Sequence, residues 1–249
     1  MRVLHLTDPH LFADRKGSLR GAVTYDTLRA VLAHYRASGF AADLVALTGD
    51  IVQDDSAGAY GHCRELLSSL GLPVYCVPGN HDVRHLMREM LPQPPFTYCG
   101  SLESGNWLIV FIDSCIEGSA GGRIAESELQ RMEDTIAASS AGHVMIGLHH
   151  PPVAMQSRWL DTVGLGNGSE FLARAAACGR VRVAIFGHVH QDYDAPHEGI
   201  RLIATPSTCR QFLPRADEFA VDDRPPAYRR IELQPDGSID AELVWVERA

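Results

Sequence analysis

The sequence predicts an α/β protein in which helices cover a buried sheet, and three observations lead to this prediction. Short apolar runs alternate along the chain with stretches of helical periodicity. Most apolar runs give way at once to polar residues or glycine, as the ends of buried strands do. The chain has 249 residues, of which 45% are apolar and 21% charged, which suffices for one large core. We therefore expect a single domain over residues 1–249.

The elements follow from these patterns in chain order. Six apolar runs are predicted strands: Val3–Leu6, Leu44–Leu47, Val74–Val77, Leu108–Ile112, Val144–Leu148 and Val183–Phe186. Four stretches between them are predicted helices: Thr24–Ala37, Ser56–Leu70, Ser127–Ala138 and Ser169–Cys178. In the first helix, Leu28, Leu32 and Tyr35 share the face that packs inward. Beyond residue 190 short extended runs take over, and the last two predict a C-terminal β-hairpin over about residues 228–246.

Composition and charge exclude several classes of protein. The chain carries a formal charge of −9, whereas proteins that grip long nucleic acids need a basic face. No apolar run approaches the ~20 residues that span a bilayer, and the N-terminus reaches Asp8 too early for a signal peptide. The six cysteines form no Cys-x-x-Cys pair, which favours reduced thiols in a cytoplasmic protein. A small phosphate substrate stays compatible with this charge.

Ionisable and amide side chains follow five of the predicted strands. The segments are Asp8-Pro9-His10, Gly49-Asp50, Gly79-Asn80-His81-Asp82, His149-His150 and Gly187-His188-Val189-His190. In α/β sheets the carboxyl ends of the strands form the ligand crevice. We therefore expect these side chains to meet at one edge of the sheet.

The residue types at this edge predict a metal site. Carboxylates, an amide and imidazoles without sulfur suit manganese, iron, cobalt or zinc. Asp8 and His10 are two residues apart, as are His188 and His190, so in extended backbone each pair points the same way and holds a metal from one side. Three of the segments begin with a glycine, which allows the chain to turn tightly beneath the site.

Two divalent ions about 4 Å apart are the usual arrangement in hydrolases that act at phosphorus. One carboxylate must then bridge the ions, and the Gly49-Asp50 turn makes Asp50 the candidate. Two such ions with two carboxylates and one hydroxide would keep a net charge of about +1. The site would therefore attract a phosphodiester even in an acidic protein.

Taken together and in this order, the five segments resemble the signature of the calcineurin-like metallophosphoesterases. Further runs resemble the bacterial 3′,5′-cyclic AMP phosphodiesterases, a class III cyclic nucleotide phosphodiesterase family: 10–13, 53–56, 157–161, 187–192 and 204–212. The similarity extends from about residue 3 to the final hairpin. One departure is Pro9, where threonine is frequent, but that side chain is not a ligand in the family.

The resemblance implies a four-layer α/β/β/α sandwich and two divalent metal ions, iron or manganese, with zinc or cobalt as alternatives. One ion would be held by Asp8, His10, Asp50 and His190, and the other by Asp50, Asn80, His149 and His188. The substrate-binding residues would be His10, Asp50, Asn80, His81 and His190. The catalytic residues would be Asp50 and His81, of which His81 would contact the phosphate and protonate the leaving oxygen.

The implied activity is hydrolysis of 3′,5′-cyclic AMP to 5′-AMP by attack of a metal-bound hydroxide. The alternative is a broad-specificity phosphodiesterase or a glycerophosphodiesterase on the same metal site. The implied partner is a small cyclic nucleotide, with no nucleic acid polymer and no membrane, in a monomer or homodimer. A DNA nuclease would need a basic channel, and a non-catalytic module would be expected to lack ligands, whereas none is missing here.

Several residues keep a second interpretation. Asp8 and Asp50 could cap helices, and Asn80 could be a turn residue. Adjacent residues of a strand point oppositely, so of His149 and His150 only one can be a ligand; family position favours His149 and leaves His150 packed nearby. His5 is expected to be a satisfied core or surface histidine, and Asp82 a possible orienter of His81. Three loop residues near the site also stay open, since they could hold phosphate, stack on a purine or simply lie at the surface: Arg158, Trp159 and Arg210.

Overall fold

Two six-stranded sheets form the centre of the protein, which a computed structural model describes over residues 1–91 and 93–247. Position 92 and the last two positions of the expected domain, 248–249, lie outside the described residues. The helices are α1 (Thr24–Ala37), α2 (Ala57–Ser68), α3 (Arg84–Met90), α4 (Glu126–Ala138), α5 (Arg158–Asp161) and α6 (Gly168–Ala177).

The strands of the first half are β1 (Arg2–Leu6), β2 (Ser18–Leu19), β3 (Ala22–Val23), β4 (Leu44–Leu47), β5 (Val74–Cys76), β6 (Phe96–Tyr98), β7 (Ser101–Ser104) and β8 (Trp107–Phe111). Those of the second half are β9 (His143–Gly147), β10 (Val181–Phe186), β11 (Tyr193–His197), β12 (Ile200–Ala204), β13 (Gln211–Phe212), β14 (Val221–Asp222), β15 (Ala227–Leu233) and β16 (Ile239–Trp245). The six predicted strands and four predicted helices are all confirmed, with ends shifted by at most two residues. The predicted C-terminal hairpin is the antiparallel pair β15–β16.

The two sheets have the strand orders β16-β15-β1-β4-β5-β6 and β11-β12-β10-β9-β8-β7. Four neighbouring strands of each sheet are parallel: β1, β4, β5 and β6 in the first and β8, β9, β10 and β12 in the second. All the strands that precede the ionisable segments belong to these parallel groups, so their carboxyl ends lie at common edges.

Three apolar layers confirm the four-layer architecture. Alternation along β1 sends Leu4 and Leu6 toward α1 and its neighbouring helices, while Val3 faces the other sheet. Between the sheets, Val3 belongs to one buried cluster with Ile109 of β8 and Ile185 of β10. A third cluster joins the outer face of the second sheet to α4 and α6. No helix in the described ranges is both long and apolar enough to cross a bilayer.

A polar contact also joins the sheets. His5 of β1 is fully buried, and its Nε2 and Nδ1 lie 2.8 Å and 2.7 Å from the hydroxyls of Thr48 and Thr205. Thr48 follows β4 of the first sheet and Thr205 follows β12 of the second. The expectation of a satisfied core histidine is therefore confirmed, and its neutral ring bridges the sheets just below the ionisable segments.

The buried position of His5 predicts a pH dependence of stability. Burial first, and then the charge of Arg229, lower the pKa of His5 from 6.5 to about 3. Between these two pKa values His5 is protonated in the unfolded chain but neutral in the folded one. The contribution of His5 to the free energy of unfolding is therefore fully present above pH 6.5. It falls by about 1.4 kcal/mol per pH unit on acidification below that pH. We expect His5→Gln to flatten this acid limb of the unfolding free energy, measured by urea unfolding at several pH values. The exposed His85→Gln is the control, and parallel curves for wild type and His5→Gln would contradict the prediction.

Candidate active site

All seven predicted metal ligands lie together at the carboxyl ends of five parallel strands. They follow β1, β4 and β5 of the first sheet and β9 and β10 of the second, so the site straddles the gap between the sheets. Six of them are buried, none more than 8% exposed, and Asn80 is half-buried. The predicted convergence at one edge is therefore confirmed as geometry.

One group of side chains comprises Asp8, His10 and His190. The Nε2 atoms of His10 and His190 lie 3.1 Å apart, and His190 Nε2 is 3.3 Å from Asp8 Oδ1. Three potential ligand atoms thus converge on one point within a buried cleft, a spacing that suits a shared cation.

A second group comprises Asn80, His149 and His188. Nδ1 of His188 lies 2.9 Å from Asn80 Oδ1 and 3.2 Å from His149 Nε2. This group contains two imidazoles and an amide oxygen. The two groups coincide with the two ligand sets that the family resemblance implies, although their metal-binding role stays a prediction.

Asp50 lies between the groups. Its Oδ2 is 3.5 Å from His10 Nε2, and its Oδ1 is 3.5 Å from His149 Nε2. Burial opposes ionisation, but the imidazoles around the carboxyl, led by His149 and His10, outweigh it and hold the pKa of Asp50 well below its usual range. A carboxylate whose ionised form is favoured in this way suits a position between two cations.

The outer nitrogens of two imidazoles show that the centre fits metal ions. Nδ1 of His149 lies 2.7 Å from the carbonyl of Thr48, and Nδ1 of His190 lies 2.6 Å from the carbonyl of Arg210. Because a carbonyl only accepts, each Nδ1 must carry the proton and donate it. In the neutral rings each Nε2 then presents a bare lone pair to the centre, which is the state that a metal ligand needs.

The backbone at the ligands corrects the argument from strand alternation. Asp8, His10 and Asp50 have φ values of 52°, 47° and 49°, and His188 and His190 have 67° and 50°, so none of them is extended. The strands end before these residues, and left-handed backbone re-aims each side chain. Asp8 and His10 still reach the same group, but His188 and His190 reach different groups, so the prediction that this pair holds one metal from one side is wrong.

The glycines serve close packing more than turning. Of Gly49, Gly79 and Gly187, only Gly49 has a positive φ, of 91°. A Cβ on Gly79 would collide with Asp50 Oδ1, and one on Gly187 would collide with Thr7 Oγ1. These two glycines are therefore required because the ligand loops approach each other too closely for a side chain.

The side chain of His150 points in a different direction from the one predicted. It does not point away from His149: the two ring centroids are 4.9 Å apart, and His150 lies 4.8 Å from the ring of His188. The strand β9 ends at Gly147, so alternation no longer applies. Its nitrogens lie 2.9 Å from Ser114 Oγ and 3.3 Å from the Ala120 carbonyl. The packed role that was expected for His150 agrees with these contacts.

His81 lies beside the first group, with its ring centroid 5.1 Å from that of His10. Its backbone N–H donates to Asp50 Oδ1 at 2.9 Å, and its Nδ1 is 3.3 Å from the Gln53 side-chain amide nitrogen. Gln53 was not recognised as a site residue from the sequence; its place three residues after Asp50, in the same connection, was the available signal.

Asp82 does not orient His81, contrary to the hypothesis from the sequence. Its carboxylate accepts hydrogen bonds from the backbone N–H of Gly79 at 2.8 Å, from that of Ile51 at 3.1 Å and from the Tyr60 hydroxyl at 2.9 Å. Burial and the nearby Asp50 carboxylate raise the pKa of Asp82 to about 7. Asp82 therefore ties the loop of Asp50 to the loop of Asn80.

Two features border the ligand groups. A cavity of about 710 Å³ opens beside Asn80 and His81, and its wall includes the ion pair between Arg84 and Asp113. The second feature is the ring of Phe212, which stacks on His190 with a centroid distance of 4.0 Å. The three loop residues whose roles the sequence left open make different contacts. Arg158 is exposed and lies near Asp217, and Trp159 packs against Phe212. The carbonyl of Arg210 accepts a hydrogen bond from His190.

Comparison with known proteins is consistent with this geometry. The model of the calcineurin-like phosphoesterase family matches residues 1–192. A protein of Vibrio vulnificus named 3′,5′-cyclic adenosine monophosphate phosphodiesterase CpdA is 35% identical over 244 residues, covering 98% of this chain and 89% of that protein. A protein of Haemophilus influenzae with the same name is 33% identical over 250 residues, covering 100% and 91%.

Among solved structures, a dimetal phosphatase from Danio rerio has a TM-score of 0.67 at 15% identity, with 99% of each chain covered. At this identity the likeness concerns the fold alone. It agrees with the two stacked sheets and their outer helices.

The role of Asp82 predicts a loss of metal affinity on substitution. Asp82→Asn keeps one acceptor but replaces the other by an NH₂ group that faces N–H donors, so the two ligand loops should separate. We expect Mn²⁺ binding, measured by titration calorimetry, to weaken about 10- to 100-fold. Asp55→Asn, which changes an exposed carboxylate of the β4–α2 connection that carries Asp50, should bind like wild type. Unchanged Mn²⁺ affinity in a folded Asp82→Asn protein would refute this role.

Proposed function

Because this chain belongs to the calcineurin-like phosphoesterase family, we propose that it is a metal-dependent phosphodiesterase that hydrolyses 3′,5′-cyclic AMP to 5′-AMP. The observation that carries the chemistry is the Asp50 carboxylate, 3.5 Å from an imidazole of each ligand group. The substrate is inferred from relatives that are similar over nearly the whole chain and are named for it.

We infer that the site holds two divalent ions, iron or manganese, with zinc or cobalt as alternatives. Asp8, His10, Asp50 and His190 would hold one, and Asp50, Asn80, His149 and His188 the other. Bound ions of this kind activate water near neutral pH and stabilise charge on phosphate oxygens. The bare Nε2 atoms of His149 and His190 support this assignment, since their Nδ1 atoms donate to carbonyls.

The chain's own residues would bind and orient the phosphate. The side chains proposed to contact substrate are His10, Asp50, Asn80, His81 and His190. His81 is proposed to donate a proton to the leaving 3′-oxygen. Its Nδ1 faces Gln53, which leaves Nε2 as the ring nitrogen that serves the substrate. Asp50 anchors this donor through the backbone N–H of His81.

The location of the protein and its oligomeric state are also predicted. All six cysteines are free thiols in the structure, which is compatible with the cytoplasmic location predicted from their spacing. The expectation of a monomer or homodimer stays a prediction.

Substrate choice separates the proposed function from its alternative. We expect kcat/KM of the Mn²⁺- or Fe²⁺-loaded protein to favour 3′,5′-cyclic AMP by about tenfold or more over 2′,3′-cyclic AMP, cyclic GMP and glycerophosphocholine. The measurement is a direct comparison of the four substrates under one set of conditions. A flat profile, or a preference for the glycerol diester, would mean a broad-specificity phosphodiesterase on the same metal site.

The role of His81 predicts a dependence on the leaving group. Loss of a general acid costs about 10²–10⁴-fold in rate, so His81→Ala should lower kcat by that factor with cyclic AMP, whose leaving alkoxide needs a proton. With bis(p-nitrophenyl) phosphate, whose leaving phenolate is stable without one, the loss should be much smaller. His85→Ala, which removes another imidazole from the wall of the same cavity, should retain wild-type kcat. Equal losses of His81→Ala on both substrates would assign His81 to another task.

A further inference from the structure

Large apolar side chains are exposed on two segments that border the site. In the described ranges the exposed ones are Ile116, Leu213 and Phe219, at 43%, 44% and 42%. Ile116 lines the cavity beside Asn80 and His81. Leu213 and Phe219 belong to the segment 211–222, whose ends pair as β13 and β14 and which we call the flap. Exposed apolar surface beside a buried polar centre indicates a place where a ligand's apolar part is received.

The flap contributes to an aromatic cluster that begins at a candidate metal ligand. Phe212 stacks on His190 with an interplanar angle of 6° and a centroid distance of 4.0 Å. Phe219 lies 5.1 Å from Phe212, and Trp159 of α5 lies 5.5 Å and 5.2 Å from these two rings, all in edge-to-face geometry. The aromatic surface therefore runs without a break from the metal centre to the exposed ring of Phe219.

Aromatic rings receive two kinds of ligand that suit a diesterase: a nucleobase by stacking, or a quaternary ammonium such as choline by cation–π attraction. Arg20 decides between them. Its guanidinium lies 4.9 Å from the centroid of Phe219, and it has no ion-pair partner in the part of the chain that the structure describes. A cation already lies over one face of Phe219, so a second cation at this ring would be repelled, whereas an uncharged base joined to a phosphate would be attracted.

The cavity on the His81 side is less suited to a base. Its wall is ionic, with Arg84 and Asp113 joined at 2.9 Å and with Glu117 and Glu128 nearby. The only rings in that wall are imidazoles. A base placed there would desolvate charged groups without gaining an aromatic surface.

We propose that Trp159, Phe212 and Phe219, with Arg20, form the subsite that receives the purine base of the substrate. This inference rests on the proposed function, because a base is expected only if the diester is a nucleotide. Phe219 is the residue that determines base recognition, since its ring combines exposure with the neighbouring guanidinium. Phe212 connects the subsite to the metal centre.

Binding of two ligands that differ only in the base tests the proposal. The dissociation constants of 5′-AMP and ribose 5-phosphate are measured by calorimetry on the Mn²⁺-loaded protein. Because stacking of a base on an aromatic side chain contributes on the order of tenfold or more in affinity, Phe219→Leu should weaken 5′-AMP by about tenfold and leave ribose 5-phosphate unchanged. Phe219→Tyr, which keeps the ring, should bind 5′-AMP like wild type.

Two further variants control the comparison. Leu213→Ala removes the other exposed apolar side chain of the flap, which is outside the ring cluster, and should not alter binding of 5′-AMP. Ile116→Ala changes the cavity beside Asn80 and His81, whose wall contains none of the three rings, and should also have no effect on this ligand. Equal weakening of both ligands in Phe219→Leu would mean that the ring only supports the metal centre. Weakening of 5′-AMP by Ile116→Ala instead of Phe219→Leu would place the base in the cavity and overturn the proposal.

The binding assay is independent of turnover, so the two proposals fail separately. A wild-type protein that binds 5′-AMP through Phe219 but does not hydrolyse cyclic AMP would overturn the proposed function and keep the base subsite. A protein that hydrolyses cyclic AMP with the same KM in wild type and Phe219→Leu would keep the function and overturn the subsite.

Discussion

The Asp50 carboxylate, shared between two groups of imidazoles, is the constraint on which the rest of the structure depends. One of its oxygens faces His10, which follows a strand of the first sheet, and the other faces His149, which follows a strand of the second. A carboxylate spans only about 2 Å between its oxygens, so the ends of the sheets must keep a fixed separation. The close-packed layer that contains Val3 and Ile185 sets that separation, because packed interiors deform little. His5 adds a polar bridge immediately below the site.

Bringing the ligands to Asp50 costs conformational energy. Five ligand residues have positive φ, a conformation that costs a residue other than glycine about 1 kcal/mol or more. Hydrogen bonds offset part of this cost: the backbone N–H of His188 donates to Asp8 Oδ2 at 3.0 Å, and the Thr7 hydroxyl donates to the same oxygen at 2.6 Å. The ligand loops are therefore stabilised by one another.

Much of this arrangement was predictable from the sequence because it depends on strands and their ends. Buried apolar runs predicted β1, β4, β5, β9 and β10. Because these strands are parallel, the ionisable residues that follow them lie at one edge. The direction of each side chain was not predictable, because periodicity ends where the strand ends: His188 and His190 diverge, and His150 turns beside His149. Gln53 and Phe212 were missed as site residues because their roles come from contacts with residues 28 and 22 positions away.

The proposed chemistry and the proposed choice of substrate are located in different parts of the chain. The family model ends at residue 192, two residues after His190, so it covers every proposed metal ligand but none of the flap. The relatives named for cyclic AMP are similar over 98% of the chain or more, which includes Phe212 and Phe219. Residues at the sheet edges are constrained by two sheets at once, so they tolerate little change. The flap is anchored at its start, where Gln211 is buried and the backbone N–H of Phe212 donates to the carbonyl of His190, whereas Phe219 is exposed. The exposed part of the flap can therefore vary without moving a ligand. A fold built in this way can keep one reaction while its surface segments select among diesters.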